Sequence, residues 1–444
     1  MLTNSLIHRQ LLGVILRPMR ALTALLLLCL TAAAYSQEAQ PAPILSAHVT
    51  RAASGSDFDV DGAHILCGPA TQVEHPNENT YGLGCPDHPL SLGQSVNVYG
   101  HWKKKLNAIA ADRLDVKPLP HDDISGFAVI DAVAPIDSSA PGSVQIRADG
   151  YPILITAHTA MTFSPPLQSR ADIMTNVWVE YAAKPGPGGI FVARSAKFFQ
   201  NYITNREDAM RTNTDYDPSA VPATAKLNPI AVSVTGPDPK RIPPWPNQEM
   251  QNRIDTIGQK LIPAYQLRLP ASDPSRINFR FQLTDGKRWP YILTLPSGIT
   301  LVPHQVVERM QNDSQLAAIL ADAIACALEK QTYRMRNADA AITAGNVASW
   351  ASFVPVIGLP IALASTGTGT TQLVIIRKEE HQSGRVSLGL LKDAGYDIDQ
   401  APVAWWLLAS KKPLPLTKIP VPDRSIYLYR TLGEVWHNPL NPAT

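Results

Sequence analysis

The chain has 444 residues, 45% of them hydrophobic and 17% charged, and a formal net charge of +2. That balance excludes a polyanion-seeking protein, and no basic cluster interleaved with aromatics argues for nucleic acid. The length suggests two or three domains, and 39 prolines point to turns and extended connections rather than a helical bundle.

The first segment reads as a targeting sequence. Arg9, Arg17 and Arg20 precede an apolar run over residues 21–34, and Ala34-Tyr35-Ser36 forms a small-x-small cleavage site. Residues 1–36 are therefore predicted to be a signal peptide, and the chain to be exported to a periplasm or outside the cell. Cys29 lies inside the run, but Leu28 before it is too bulky for a good lipoprotein site. The alternative is an uncleaved anchor, for which the run is short of the roughly 20 apolar residues needed. Cys67 and Cys85 flank a polar segment rich in Gly, Pro and Asn. In an oxidising compartment this spacing predicts one disulfide, worth about 3 kcal/mol by chain entropy. A metal site from Cys67, Cys85, His64, His75 and His88 is the rival, and it lacks CxxC spacing.

Residues 37–235 read as a β-rich domain of no recognised family. Short runs rich in Val, Ile and aromatics occur at 126–134, 143–147, 151–156 and 176–181, bounded by Pro, Gly, Asp and Ser. Residues 191–200 followed by 201–211 read as a strand passing into a helix. No internal repeat and no catalytic pattern is visible here. A proline-rich linker, residues 236–247 (GPDPKRIPPWPN), separates this half from the next.

The second half, residues 248–410, carries the chemistry. Residues 313–337 read DSQLAAILADAIACALEKQTYRMRN, with Asp313 as N-cap. Leu316, Ile319, Leu320, Ile324, Ala327 and Leu328 recur at helical spacing and predict one apolar face. Asp322 and Cys326, four residues apart, share a stripe on its flank. Their plainest reading is one solvated carboxylate and one small buried hydrophobe. Upstream stands YILTLPSGITLVPHQVVERMQ, and downstream RKEEHQSGRVSLGLLKDAGYD.

Together these motifs resemble the HtpX-like and CAAX-prenyl-protease-like zincins, family forty-eight of the metallopeptidases. In that family a hairpin NAFALPGGxIxV runs into ELAAVLAHEIAH, and a third-ligand helix reads ExEADxxGLxxLxxAGYD. Leu295, Pro296, Gly298 and Val302 match the hairpin, and Ala394, Gly395, Tyr396 and Asp397 match the last motif. The resemblance implies an α+β zincin-like domain, a small sheet beside paired helices. It places Asp322 and Cys326 at the two histidines of HExxH, and Ala323 at the glutamate that acts as general base. It places Glu380 at the third zinc ligand and Gly384 at the supporting aspartate. The expectation is therefore no catalytic centre, no resident metal and no cofactor.

An unconventional zinc metallopeptidase, using Glu380 with Asp322, Cys326 or His381, is the alternative. Even then Ala323 accepts no proton. Residues 340–376 form a long uncharged stretch. It reads either as an apolar hairpin under the helices or as a membrane-contacting segment. Pro355 and Pro360 break it below a clean span. Residues 411–444 read as an extended, proline-rich tail. The function that follows is an exported pseudo-peptidase that binds extended polypeptides without hydrolysis, with the hairpin at 291–302 as its edge strand. A structural envelope protein acting through its N-terminal domain is a second alternative.

Overall fold

A computed structural model describes residues 42–75, 80–119, 122–134, 142–222, 224, 226–227, 237–334 and 369–437. The predicted signal peptide lies outside these residues, as does the 340–368 portion of the uncharged stretch. Among the described residues no helix is long and apolar enough to cross a membrane. The fold is α+β, with its strands concentrated in the N-terminal half.

Those strands form two barrel-like sheets. The first uses β1 (Leu45–Ser54), β2 (Asp57–Val60), β3 (Ala63–Leu66), β4 (Gln72–His75), β5 (Thr80–Leu83), β6 (Ser95–Lys103) and β7 (Ala108–Val116). Their order is β3-β2-β1-β6-β7-β4-β5, and a parallel β3–β7 pairing closes the ring. The second uses β8 (Ile124–Val133), β9 (Val144–Ala148), β10 (Tyr151–Ile155), β11 (Ala160–Phe163), β12 (Trp178–Pro185) and β13 (Phe191–Phe199). Its order is β10-β9-β8-β12-β13-β11, closed by a parallel β10–β13 pairing. Alternate residues of each strand fill the barrel interiors, such as Val49, Phe58, Ile65 and Ile109 in the first, and Ile130, Ile146, Ile153 and Phe198 in the second.

The two barrels repeat each other in detail. A bulge interrupts β1 between Val49 and Arg51, and one interrupts β8 between Ile130 and Ala132. The last ladder shifts register at Tyr99/Gly100 in the first barrel and at Ala182/Ala183 in the second. An Asp-Gly turn with positive φ joins β2 to β3 (Asp61, Gly62) and β9 to β10 (Asp149, Gly150). The Thr71 hydroxyl donates to Ala111 O at 2.9 Å, and the Thr159 hydroxyl donates to Ala193 O at 2.9 Å. This repeat is absent from the sequence reading because its landmarks are bulges, turns and backbone acceptors, which many side chains satisfy.

The helical layer follows. Its members are α1 (Asn205–Asn213), α2 (Gln248–Leu261), α3 (Ala264–Arg268), α4 (His304–Arg309), α5 (Asp313–Leu328), α6 (Gly369–Asp393), α7 (Gln400–Leu408) and α8 (Asp423–Thr431). A small sheet, β14 (Arg280–Thr284), β16 (Ile299–Pro303) and β15 (Leu293–Thr294) in that order, lies beside them. Helix α5 is buried nearly all round, and its cap is Asn312 rather than Asp313, with Oδ1 accepting from Gln315 N at 2.9 Å. It ends at Leu328, because Lys330 adopts a left-handed conformation, φ 50°.

Two further segments differ from expectation. The linker is docked: Trp245 N donates to Leu283 O at 3.0 Å, and the Trp245 ring stacks on His304 at 4.0 Å. The segment expected as an extended tail holds α8 and a further turn, Leu432–Trp436, because Leu428, Leu432 and Val435 bury against the core. The described residues from Leu45 onward form one compact unit.

Candidate functional site

Helices α5 and α6 lie side by side, and α8 packs against α6 and α7, from where Arg424 reaches α5. This brings Asp322, Cys326, Glu379, Ser383 and Arg424 together. Asp322 is completely buried, not solvated as expected. Its carboxylate pairs with the Arg424 guanidinium, which lies 3.6 Å from the centroid of the Trp405 ring. Burial holds the Cys326 thiol far above its ordinary pKa, and the negative charge of Asp322 adds to that. The thiol is therefore neutral. Ala323 is buried with no group to accept a proton.

Zinc does not fit these residues. A zinc ligand set needs deprotonated donors turned to one point. Here one Asp322 oxygen is engaged by a guanidinium, and Ala323 beside it carries no donor. Among the described residues no three His, Cys, Asp or Glu side chains are grouped so as to hold a metal ion. The positive charge at this place is an arginine's.

The remaining predicted residues lie apart. Glu380 is half-buried, and it is Glu379, one position earlier, whose charge acts on Cys326. His381 stacks on the Tyr427 ring at 3.7 Å. Gly384 packs under Leu428, where an added Cβ would lie 3.2 Å from Leu428 Cδ2. Cys67 and Cys85 form the expected disulfide, which removes the rival metal site. Sequence reasoning missed Arg424, because it lies in the proline-rich segment and 102 residues from Asp322.

The hairpin edge is also not open. Strand β15 pairs antiparallel with β16 and sits against α5, but Leu293, Thr294 and Leu295 are buried. Glu207 and Arg211 of α1 lie beside Thr294, Leu295 and Cys326, leaving a space of about 20 Å³. Glu207 pairs with Arg211 at 2.7 Å and with Lys330 at 3.0 Å. The chain's own helix thus fills the groove beside the centre.

The open cleft lies where α6 meets the second barrel. It comprises two adjoining spaces, of about 280 and 500 Å³, which share Ser125, Asp149, Lys378 and Arg385. Its floor is a buried polar network. Asp149 Oδ2 accepts from the Tyr181 hydroxyl at 2.8 Å, and Asp149 Oδ1 pairs with Arg385. Arg385 Nε donates to Asp149 O at 2.9 Å. Arg334 Nη1 donates to Gln382 at 2.8 Å, and its Nη2 lies 3.5 Å from Glu379.

Glu329, at the deep end of this network, is fully buried, and Val129 N donates to it at 3.3 Å. Burial raises its pKa well above the ordinary 4.5, against the opposing pull of Arg334. The folded state therefore holds a proton that the unfolded chain releases near pH 4.5. This contribution to stability is complete below that pH and is lost as pH rises through the folded value. We expect Glu329→Gln to flatten the decline in unfolding free energy above pH 4.5. Denaturant midpoints across pH 4–8 check this, and a variant with the parent's pH slope would refute it.

No protein-family model matches the chain, and no curated protein matches it.

Proposed function

We propose that this chain is an exported, zincin-like protein that has exchanged hydrolysis for holding polypeptide in extended form. The zincin-like reading rests on motif order together with layout. Strand β15 of the antiparallel β15–β16 hairpin packs against α5, and α6 packs along α5, as the third-ligand helix does in the resembled family. One observation carries the non-hydrolytic part: the buried Asp322–Arg424 pair beside a neutral thiol and Ala323. A guanidinium neutralises the carboxylate, but it lowers no water pKa as a metal does, and no carboxylate stands at the base position. Export is compatible with the Cys67–Cys85 disulfide. Fold alone implies no function, so the binding role needs its own test.

Purified protein incubated with casein and added zinc is expected to leave the casein intact. It is expected to bind reduced, carboxymethylated lactalbumin, a permanently unfolded chain, in an anisotropy titration. Casein cleavage that a chelator abolishes would overturn the first part. No measurable binding would overturn the second.

A further inference from the structure

Strand β9 is too short for its neighbour. It pairs with β8 only from Ile130 to Val133, because the chain turns away at Asp149 and Gly150. Residues 124–129 of β8 are thus covered by β12 on one edge and by no strand on the other, among the described residues.

The backbone direction along β8 is fixed by its bonds. Ile130 N donates to Val177 O at 2.8 Å and Ile130 O accepts from Asn176 N at 2.9 Å, so the even-numbered residues turn toward the β12 side. Odd-numbered residues then turn their N–H and C=O to the uncovered edge. Two of these groups meet side chains of the helical layer in place of a strand. Phe127 O accepts from Gln382 Nε2 at 3.2 Å, and Val129 N donates to Glu329 at 3.3 Å. Ser125, two residues earlier, is exposed and lines both spaces of the open cleft. Beside it Phe127 remains 38% exposed, stacked on Trp178 at 4.7 Å. An edge with its next backbone groups turned into a cleft, next to an exposed aromatic ring, has the two elements of strand addition: main-chain hydrogen bonds and a side-chain contact.

We infer that an extended polypeptide segment adds to β8 at Ser125, inside the cleft along α6, with an apolar side chain packed on Phe127. This rests on the polypeptide-holding reading and moves its site from β15, which α1 covers, to the second barrel. Gln382 and Glu329 end the register on the Val129 side, so the segment enters from the Ser125 end. The apolar contact follows the cross-strand rule that aromatic rings favour aliphatic or aromatic partners.

The test is anisotropy titration of labelled, reduced, carboxymethylated lactalbumin against the full chain and two variants. Ser125→Pro removes the cleft-facing N–H without touching the β12 ladder. It is expected to weaken binding at least tenfold with an unchanged melting temperature. Phe127→Ala is expected to weaken it several-fold. Should Ser125→Pro unfold, Ser125→Cys capped with a bulky maleimide in a Cys29→Ser background replaces it, since Cys326 is buried. Parent binding that survives blockage of residue 125 would overturn this site and leave the polypeptide-holding reading standing. No binding by the parent would overturn both.

Discussion

Arg424→Ala is expected to destabilise the fold by about 3–5 kcal/mol, the cost of leaving a buried charge without its partner. Asp322 is wholly buried on α5, and Arg424 is the ion partner it has there. Its other oxygen, Oδ2, already lacks a hydrogen-bond partner among the described residues, as does Arg424 Nε. The pair is thus imperfectly satisfied, and its removal as a pair is a different matter from its rupture. Arg424→Met with Asp322→Leu is expected to recover most of the loss, since a packed apolar pair often equals a buried ion pair. Urea midpoints of the two single variants and the double variant measure the coupling. An Arg424→Ala loss below about 1 kcal/mol, with no coupling to Asp322, would sink the claim that the guanidinium compensates this carboxylate.

The apolar half of this arrangement is legible in the sequence, and the polar half is only partly so. The spacing from Leu316 to Leu328 announces α5, and Asp322 and Cys326 stand out as a stripe upon it. The partner does not stand out. Arg424 reaches Asp322 through α8, a helix that the prolines around residues 413–422 conceal. On α6, counting back from the Ala-Gly-Tyr-Asp motif selects Glu380. One residue is a rotation of about 100° on a helix, enough to exchange a half-buried flank for the packed face that Glu379 occupies. The strands of the second barrel fall close to the runs read as β from composition. The pairing that closes each barrel, and the duplication of the barrels, depend on contacts between distant segments that no local pattern records. The same holds for α1. Its position after a strand is legible, but its place across the groove beside β15 depends on the Glu207–Lys330 pair.

The duplicated turns supply the second large effect. Gly62 and Gly150 occupy equivalent Asp-Gly turns, with φ of 75° and 74°, and each turn abuts the helical layer. What each one meets differs. A Cβ on Gly62 would lie 2.7 Å from the tip of the Trp406 ring, whereas one on Gly150 would lie 2.4 Å from the Arg385 carbonyl carbon. A ring tip can swing by a few tenths of an ångström, but a backbone in the middle of α6 cannot move without carrying the helix. Both changes also carry the cost of a left-handed backbone, about 1 kcal/mol or more. We therefore expect Gly150→Ala to destabilise by at least about 3 kcal/mol and Gly62→Ala by roughly half of that. Gly150→Ala should also lift Arg385 from Asp149, a buried pair joining the second barrel to α6, and so widen the cleft. Hydrogen exchange would show this as lost protection at residues 382–388 in Gly150→Ala but not in Gly62→Ala. Equal destabilisation by the two substitutions would mean that the turn, and not its contact with α6, sets the cost.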